Sequence, residues 1–225
     1  MDLITSVYDQ PQYFEEWIES VKNQGFNRII VGIDGRHETI KDIVPFCNGL
    51  AEVYLSVEHV GIPVMLNSLF LLSENDIVCK LDADDIARPN MLNELNKGIM
   101  SNPEASVVLS RCRGFGETMT IGKEGKKDYP SAGAYNVKHL IQLGGFNSLI
   151  PTFSDTEYFY RLKACGKDIR KTDVVVVDRR LHGDNYSEIS PTRQHELSFL
   201  KNALGKYNHT NYIIPLITTH FKRII

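Results

Sequence analysis

Three carboxylates, Asp82, Asp84 and Asp85, fall within four residues just after a short apolar run that begins at Ile77. Ile77-Val78-Cys79 has the character of a buried strand, and Lys80-Leu81-Asp82-Ala83-Asp84-Asp85 lies where that strand should stop. Neighbouring carboxylates repel one another, so such a cluster is stable only in water or around a hard cation that prefers oxygen ligands, Mg2+ or Mn2+. A solvated acidic turn is the alternative for the three acids taken alone. Position favours the cation, because ligands of open α/β sheets bind beyond the carboxyl ends of the strands.

The elements that must deliver this cluster follow a regular rhythm. Leu3–Val7, Arg28–Ile33, Val53–Val57 and Asp76–Leu81 read as strands. Between them Phe14 to about Asn23, Glu38–Cys47 and Ile62–Leu72 carry helical spacing, and Pro89 opens a further helix to about Met100. The alternation predicts an α/β fold with a mainly parallel central sheet and helices on both faces. In the second half Ala105–Ser110 and Val174–Val177 read as strands, and Asn136–Leu143, Asp155–Cys165 and Pro191–Leu204 as helices, with Ser154 or Asp155 as the cap of the second. Gly114–Pro130, polar with four glycines and three lysines, reads as a mobile loop or lid.

The 225 residues, 42% hydrophobic and 24% charged, predict one soluble domain at about 1–210 with a tail at 211–225. Within it the chain divides at about residue 110, into 1–110 and 111–210. A balance of 25 basic against 28 acidic residues, net −3, argues against a nucleic-acid partner. Cys47, Cys79, Cys112 and Cys165 form no C-x-x-C pair and read as free thiols of a reducing compartment. No secretory signal is read at the N-terminus and no stretch has membrane-spanning length, so a cytoplasmic location is expected. The apolar tail with Lys222 and Arg223 reads as a packing arm, with a peripheral membrane anchor or a dimer contact as alternatives.

At this point a set of landmarks in fixed order resembles glycosyltransferase family 2, over about Asp2 to Ser187. Thr5-Ser6-Val7-Tyr8-Asp9 with Glu19-Ser20-Val21-Lys22-Asn23-Gln24 resembles the first strand and helix of the family, and Val31-Gly32-Ile33-Asp34-Gly35 its second strand end. Gly61 with Asn67, the DXD-like run to Asp85, Gly144-Gly145-Phe146, the helix from Ser154-Asp155-Thr156-Glu157 to Arg161-Leu162, and His182 before Gly183-Asp184-Asn185 complete the series. Two departures stand out. Ser154 replaces the glutamate of the usual Glu-Asp pair, and Met65-Leu66 replace a small residue and an arginine.

The resemblance implies a GT-A fold, with a nucleotide-binding half at about 1–110 and an acceptor-side half at about 111–210, and an inverting, metal-dependent transfer of sugar from a nucleoside diphosphate donor, expected to be a UDP-sugar, to a hydroxyl of a glycan or other acceptor. It implies Asp84 and His182 as ligands of Mn2+ or Mg2+, with Asp82 shared between the nucleotide and metal-bound water. Asp34 would read the base edge in a pocket lined by Thr5, Val7 and Asp9, and Lys80 would meet the acidic cluster or a phosphate. Asp155 is the expected general base, its alternative being a plain helix cap; Glu157 could share that role, and Asp85 has either a cation or a capping role. His37, His59, His139, His195 and His209 belong to no evident constellation. Two other functions fit less of the chain. A sugar-nucleotide pyrophosphorylase would need a glycine-rich loop where Tyr8-Asp9-Gln10-Pro11 stands, and a non-catalytic sugar-nucleotide or glycan-binding protein would not need the intact acids.

Overall fold

The structure, a computed structural model, describes residues 1–116, 132–182, 190–203 and 216–225. The first half runs β1 (Asp2–Val7), a 3-10 turn (Pro11–Tyr13), α1 (Phe14–Val21), β2 (Ile29–Ile33), α2 (Thr39–Cys47), β3 (Glu52–Ser56), α3 (Ile62–Leu72), β4 (Ile77–Leu81), β5 (Ile86–Ala87) and α4 (Met91–Ser101). The second comprises β6 (Val107–Phe115), β7 (Ala132–Asn136), α5 (Val137–Gln142), α6 (Ser154–Ala164), β8 (Ile169–Arg180), α7 (Arg193–Ala203) and β9 (Phe221–Arg223). Among the described residues these strands form one sheet in the order β5-β8-β6-β7-β4-β1-β2-β3-β9. β4, β1, β2 and β3 are parallel neighbours, as are β6 and β8. β7 runs antiparallel between β4 and β6, and the short β5 and β9 are antiparallel.

Period-2 alternation sends successive side chains of each strand to opposite helical layers. Leu3, Val31, Val53 and Cys79 pack beneath α1, α2 and α4, against Phe14, Trp17, Ile43 and Met91. Ile4, Ile30, Val78 and Tyr135 face α3, α5 and α6, against Leu69, Phe70, Leu140 and Tyr158. Helices therefore cover both faces, and the carboxyl ends of β1, β2 and β4 open along one edge. The four cysteines are free thiols.

The structure departs from the sequence reading where pairing overrides composition. β6 extends five residues past Ser110, alternating exposed Arg111 and Arg113 with buried Cys112, and it stays paired with β8 through shifts of register on either side of Arg111. β8 is correspondingly longer than Val174–Val177. β7 was invisible as a strand: Ala132-Gly133-Ala134 has little intrinsic strand preference and is held by β4 and β6 on its two sides. α4 starts at Met91, so Pro89 precedes its first turn. α6 is capped by neither Ser154 nor Asp155; Phe153 occupies the cap position without a side-chain bond. Most of the expected glycine- and lysine-rich loop, the segment after His182 and the start of the tail lie outside the described residues. The end of the tail adds β9 to β3, and on the way Ile217 accepts from Asn67 while the Thr219 amide donates to Ser68.

Candidate active site

The strand ends converge on a cavity of about 710 Å³ lined by Val7, Asp9, Asp34, Lys80, Asp82, Asp84 and Asp155 among others. β1 contributes Val7 and the turn after it, β2 contributes Asp34, and β4 contributes Lys80 and the acidic run. α6 brings Asp155 from the other half of the chain. Of the nine residues singled out in the sequence, seven line this one space. His182 reaches it through Asp84. Thr5 does not: it is buried in β1, and its hydroxyl has no hydrogen-bond partner among the described residues.

His182 Nε2 stands 3.1 Å from Asp84 Oδ2, at the meeting of two segments 98 residues apart. The pairing of Ile86 with Asp178 and Ala87 with Val177 brings them together, reinforced by a forked Arg88–Asp178 ion pair at 2.7 Å. One carboxylate oxygen and one imidazole nitrogen at this separation suit two adjacent ligands of a hard cation, which at ligand distances of ~2.1 Å and a right angle would lie ~3 Å apart. Among the described residues no third His, Cys, Asp or Glu joins them in a self-sufficient cage. The donor set thus fits a divalent ion that completes its coordination with ligands from elsewhere. Asp85 also lines the cavity, and its Oδ1 accepts from the Arg180 amide at 2.8 Å.

Lys80 Nζ lies 2.6 Å from Asp82 Oδ1. Burial works to lower the Lys80 ammonium, but the carboxylates of Asp82 and Asp155 outweigh it and hold the ammonium above its usual range. Burial raises the Asp82 carboxyl against the opposing pull of Lys80. Asp155 is also raised by burial, opposed by Lys80, by its own bonds from the Thr156 amide and hydroxyl, and by Arg179. One buried ammonium therefore acts on carboxylates from both halves of the chain. Tyr135 of β7 is enclosed nearby, its phenol pushed well up by burial and then by Asp155 and Asp82.

Asp34 is 1% exposed and its oxygens are already engaged. Oδ1 accepts from the Val60 amide at 2.8 Å and Oδ2 from the Gly61 amide at 2.9 Å, with His59 Nδ1 3.0 Å away. Gly35, at φ +71°, permits this approach, since a Cβ there would collide with the His59 backbone. His59, unassigned in the sequence, stacks on Tyr8 with centroids 4.1 Å apart, and both line the cavity. Asp34 thus orders the loop that carries an aromatic wall.

Glu157 is buried and does not line the cavity. It pairs with fully buried Arg161 at 2.7 Å, one helical turn away, and Arg161 also donates to the carbonyls of Leu143 and Gly145. That turn is clamped again by Asn67, which donates to Phe146 O and accepts from Phe146 N at 2.7 Å. Gly145, at φ +70°, is needed because a Cβ would strike the Asn67 side chain. Glu196 of α7, missed in the sequence, accepts from the Thr152 amide at 2.9 Å and the Phe153 amide at 3.2 Å and so fixes the approach to Asp155. Nothing in its spacing pointed to this role, because its partners lie 44 and 43 residues away.

Known structures share this fold. The mannosyltransferase PcManGT from Pyrobaculum calidifontis, in complex with GDP-Man and Mn2+, superposes with a TM-score of 0.71 at 16% identity, over 96% of this chain and 67% of that one. S. aureus TarS 1–349 in complex with UDP-GlcNAc gives 0.69 at 15% identity, over 89% and 64%, and its complex with UDP gives 0.67 at 15%, over 91% and 71%. These likenesses establish the fold, which is GT-A, and the neighbours extend beyond the part this chain covers. No curated protein matches in sequence. The profile of Glycosyl transferase family 2 matches residues 2–168, and the chain belongs to that family of glycosyltransferases.

Proposed function

We propose that this chain transfers a sugar from a nucleoside diphosphate donor to an acceptor hydroxyl with inversion at the anomeric carbon. The observation that carries the reading is one cavity lined by Asp84, the Lys80–Asp82 pair and Asp155, with His182 set behind Asp84. The nucleotide lies over the ends of β1 and β2, against Val7, Asp9 and the Tyr8–His59 wall, with UDP as the expected base carrier. Support for such a donor comes from the fold neighbours, captured with UDP, UDP-GlcNAc or GDP-Man. Asp84 and His182 would hold a divalent cation, Mn2+ or Mg2+, which would neutralise charge on the departing diphosphate.

Asp155 accepts the proton of the acceptor hydroxyl as its oxygen attacks the anomeric carbon. The new glycosidic bond forms while the bond to the diphosphate oxygen breaks, and the nucleoside diphosphate leaves with that electron pair. Burial makes Asp155 a stronger base than an exposed aspartate. Asp82 and Lys80 order the ground between the two reacting partners, and residues 152–156, held by Glu196, form the acceptor side. Asp155→Asn is expected to cut transfer by at least ~10²-fold while donor binding, followed by calorimetry with Mn2+, is retained. Near-normal release of nucleoside diphosphate by that variant would remove Asp155 from the mechanism.

A further inference from the structure

Two residue pairs join β5 to β8, which is little structure to fix two side chains that lie beyond the pairing on either strand. Arg180 occupies that gap. Its backbone amide donates to Asp85 Oδ1 at 2.8 Å and its Nε donates to the Asp84 carbonyl at 3.0 Å, so both residues of the acidic turn are tied to β8. The guanidinium is sandwiched between the rings of Tyr13 and Phe115, whose centroids are 4.6 and 4.7 Å away, and pairs with Glu16 of α1. Tyr13 in turn leans on His182, 5.0 Å between ring centroids at 40°. The Leu181 amide donates to the Phe115 carbonyl at 2.8 Å, holding the chain between Arg180 and His182. Arg180 does not line the cavity; its neighbour Arg179 does.

We propose that Arg180 is a positioning residue that sets the separation of Asp84 and His182 and thereby the affinity of the pair for a divalent cation. The inference rests on the reading of those two residues as cation ligands. Geometry and charge predict opposite signs here. A guanidinium close to a cation site repels the cation, so on charge alone its removal would tighten binding. If it works by position, removal weakens binding. Lysine keeps the charge but loses the planar group that fills the slot between two rings and forks toward a carbonyl and a carboxylate.

The test is a Mn2+ titration in the presence of UDP, followed by the electron paramagnetic resonance of free Mn2+. It is run on the wild type, Arg180→Met, Arg180→Lys and Tyr13→Leu, each shown to be folded by circular dichroism at the working temperature. The expected result is a rise in the Mn2+ dissociation constant of about tenfold for both Arg180 variants, in the range for residues that orient metal ligands. Tyr13→Leu should move it in the same direction, and transfer should recover when Mn2+ is raised in proportion. Unchanged or tighter Mn2+ binding by folded Arg180→Lys and Tyr13→Leu overturns the assignment while leaving the cation site standing. Absence of Mn2+ binding by the wild type overturns both. Should the Arg180 variants not fold, Tyr13→Leu, which keeps the Glu16 pair and both hydrogen bonds of Arg180, decides alone.

Discussion

Asp155 is held above the ordinary carboxylate range by burial, with Lys80 the first of the groups that oppose the rise. As the proposed base it must be ionised to accept a proton, so on that proposal activity should fall as pH drops through the raised value. Lys80→Met removes the nearest opposing charge; Asp155 then rises further, and the acid limb of the kcat/KM profile should move to higher pH. At pH 7 the variant is expected to lose about tenfold or more in kcat/KM. An acid limb that stays in place would show that Lys80 does not govern Asp155. The types and order of Asp82, Asp84, Asp155 and His182 made this constellation legible in the sequence. Their partners were not legible: Asp34 reads in sequence as a free carboxylate at a strand end, yet backbone amides at residues 60 and 61 consume its oxygens. Likewise, His59 has meaning only once the turn after β1 brings Tyr8 over its ring. Contacts of this kind depend on loop geometry, to which residue spacing is blind.

Strands of β-branched and aliphatic residues were legible as elements because period and composition agree, as in β2 and β4. β7 was not, because its small residues are strand-like only by virtue of two neighbours. The tail is a similar case: nothing in Phe221-Lys222-Arg223 announces a partner, yet it completes the β3 side of the sheet. That side is clasped by charge. Glu52 receives Arg28 Nε at 2.6 Å and lies 3.4 Å from Arg223, so a residue of β3 holds the residue before β2 and a residue of β9. The Arg28 hydrogen bond is the main cause that lowers Glu52 to about 2, against burial, with Tyr54 assisting. A depressed carboxyl contributes stability that is fully present above its unfolded value and lost as pH falls toward the folded one. Urea unfolding of the wild type should therefore weaken between about pH 5 and pH 2 partly on this account. Glu52→Gln should flatten that portion and cost about 1–2 kcal/mol at pH 7, the partly exposed setting holding the figure down. An identical pH profile in the variant would discount the clasp.

At the scale of the whole molecule, the two halves share one sheet through the β4–β7 and β5–β8 pairings and both line the cavity, so a ligand bound there should be felt by the global unfolding transition. Binding to the native state alone stabilises by mass action, about 2.7 kcal/mol at one hundred times the dissociation constant. For a chain of this size that corresponds to a rise in Tm of roughly 5–10 °C. UDP or GDP with Mn2+ should produce such a shift, and EDTA should abolish most of it; a shift of equal size in EDTA would argue against a cation in the site. The overall α/β class was legible because β-α alternation is a property of the whole pattern. Which strands stand next to one another in the second half was not, since those pairings join residues far apart in sequence. The way the sheet ends has one more consequence. On one side it stops at the three residues of β9, which include exposed Lys222 and Arg223, and on the other at the two residues of β5. The stretch of β8 that β5 leaves uncovered carries exposed Arg170, Lys171 and Asp173. Borders this charged lack the neutrality that a second chain needs to add a strand, so the sheet resists growing edge to edge into a fibre in a crowded cell.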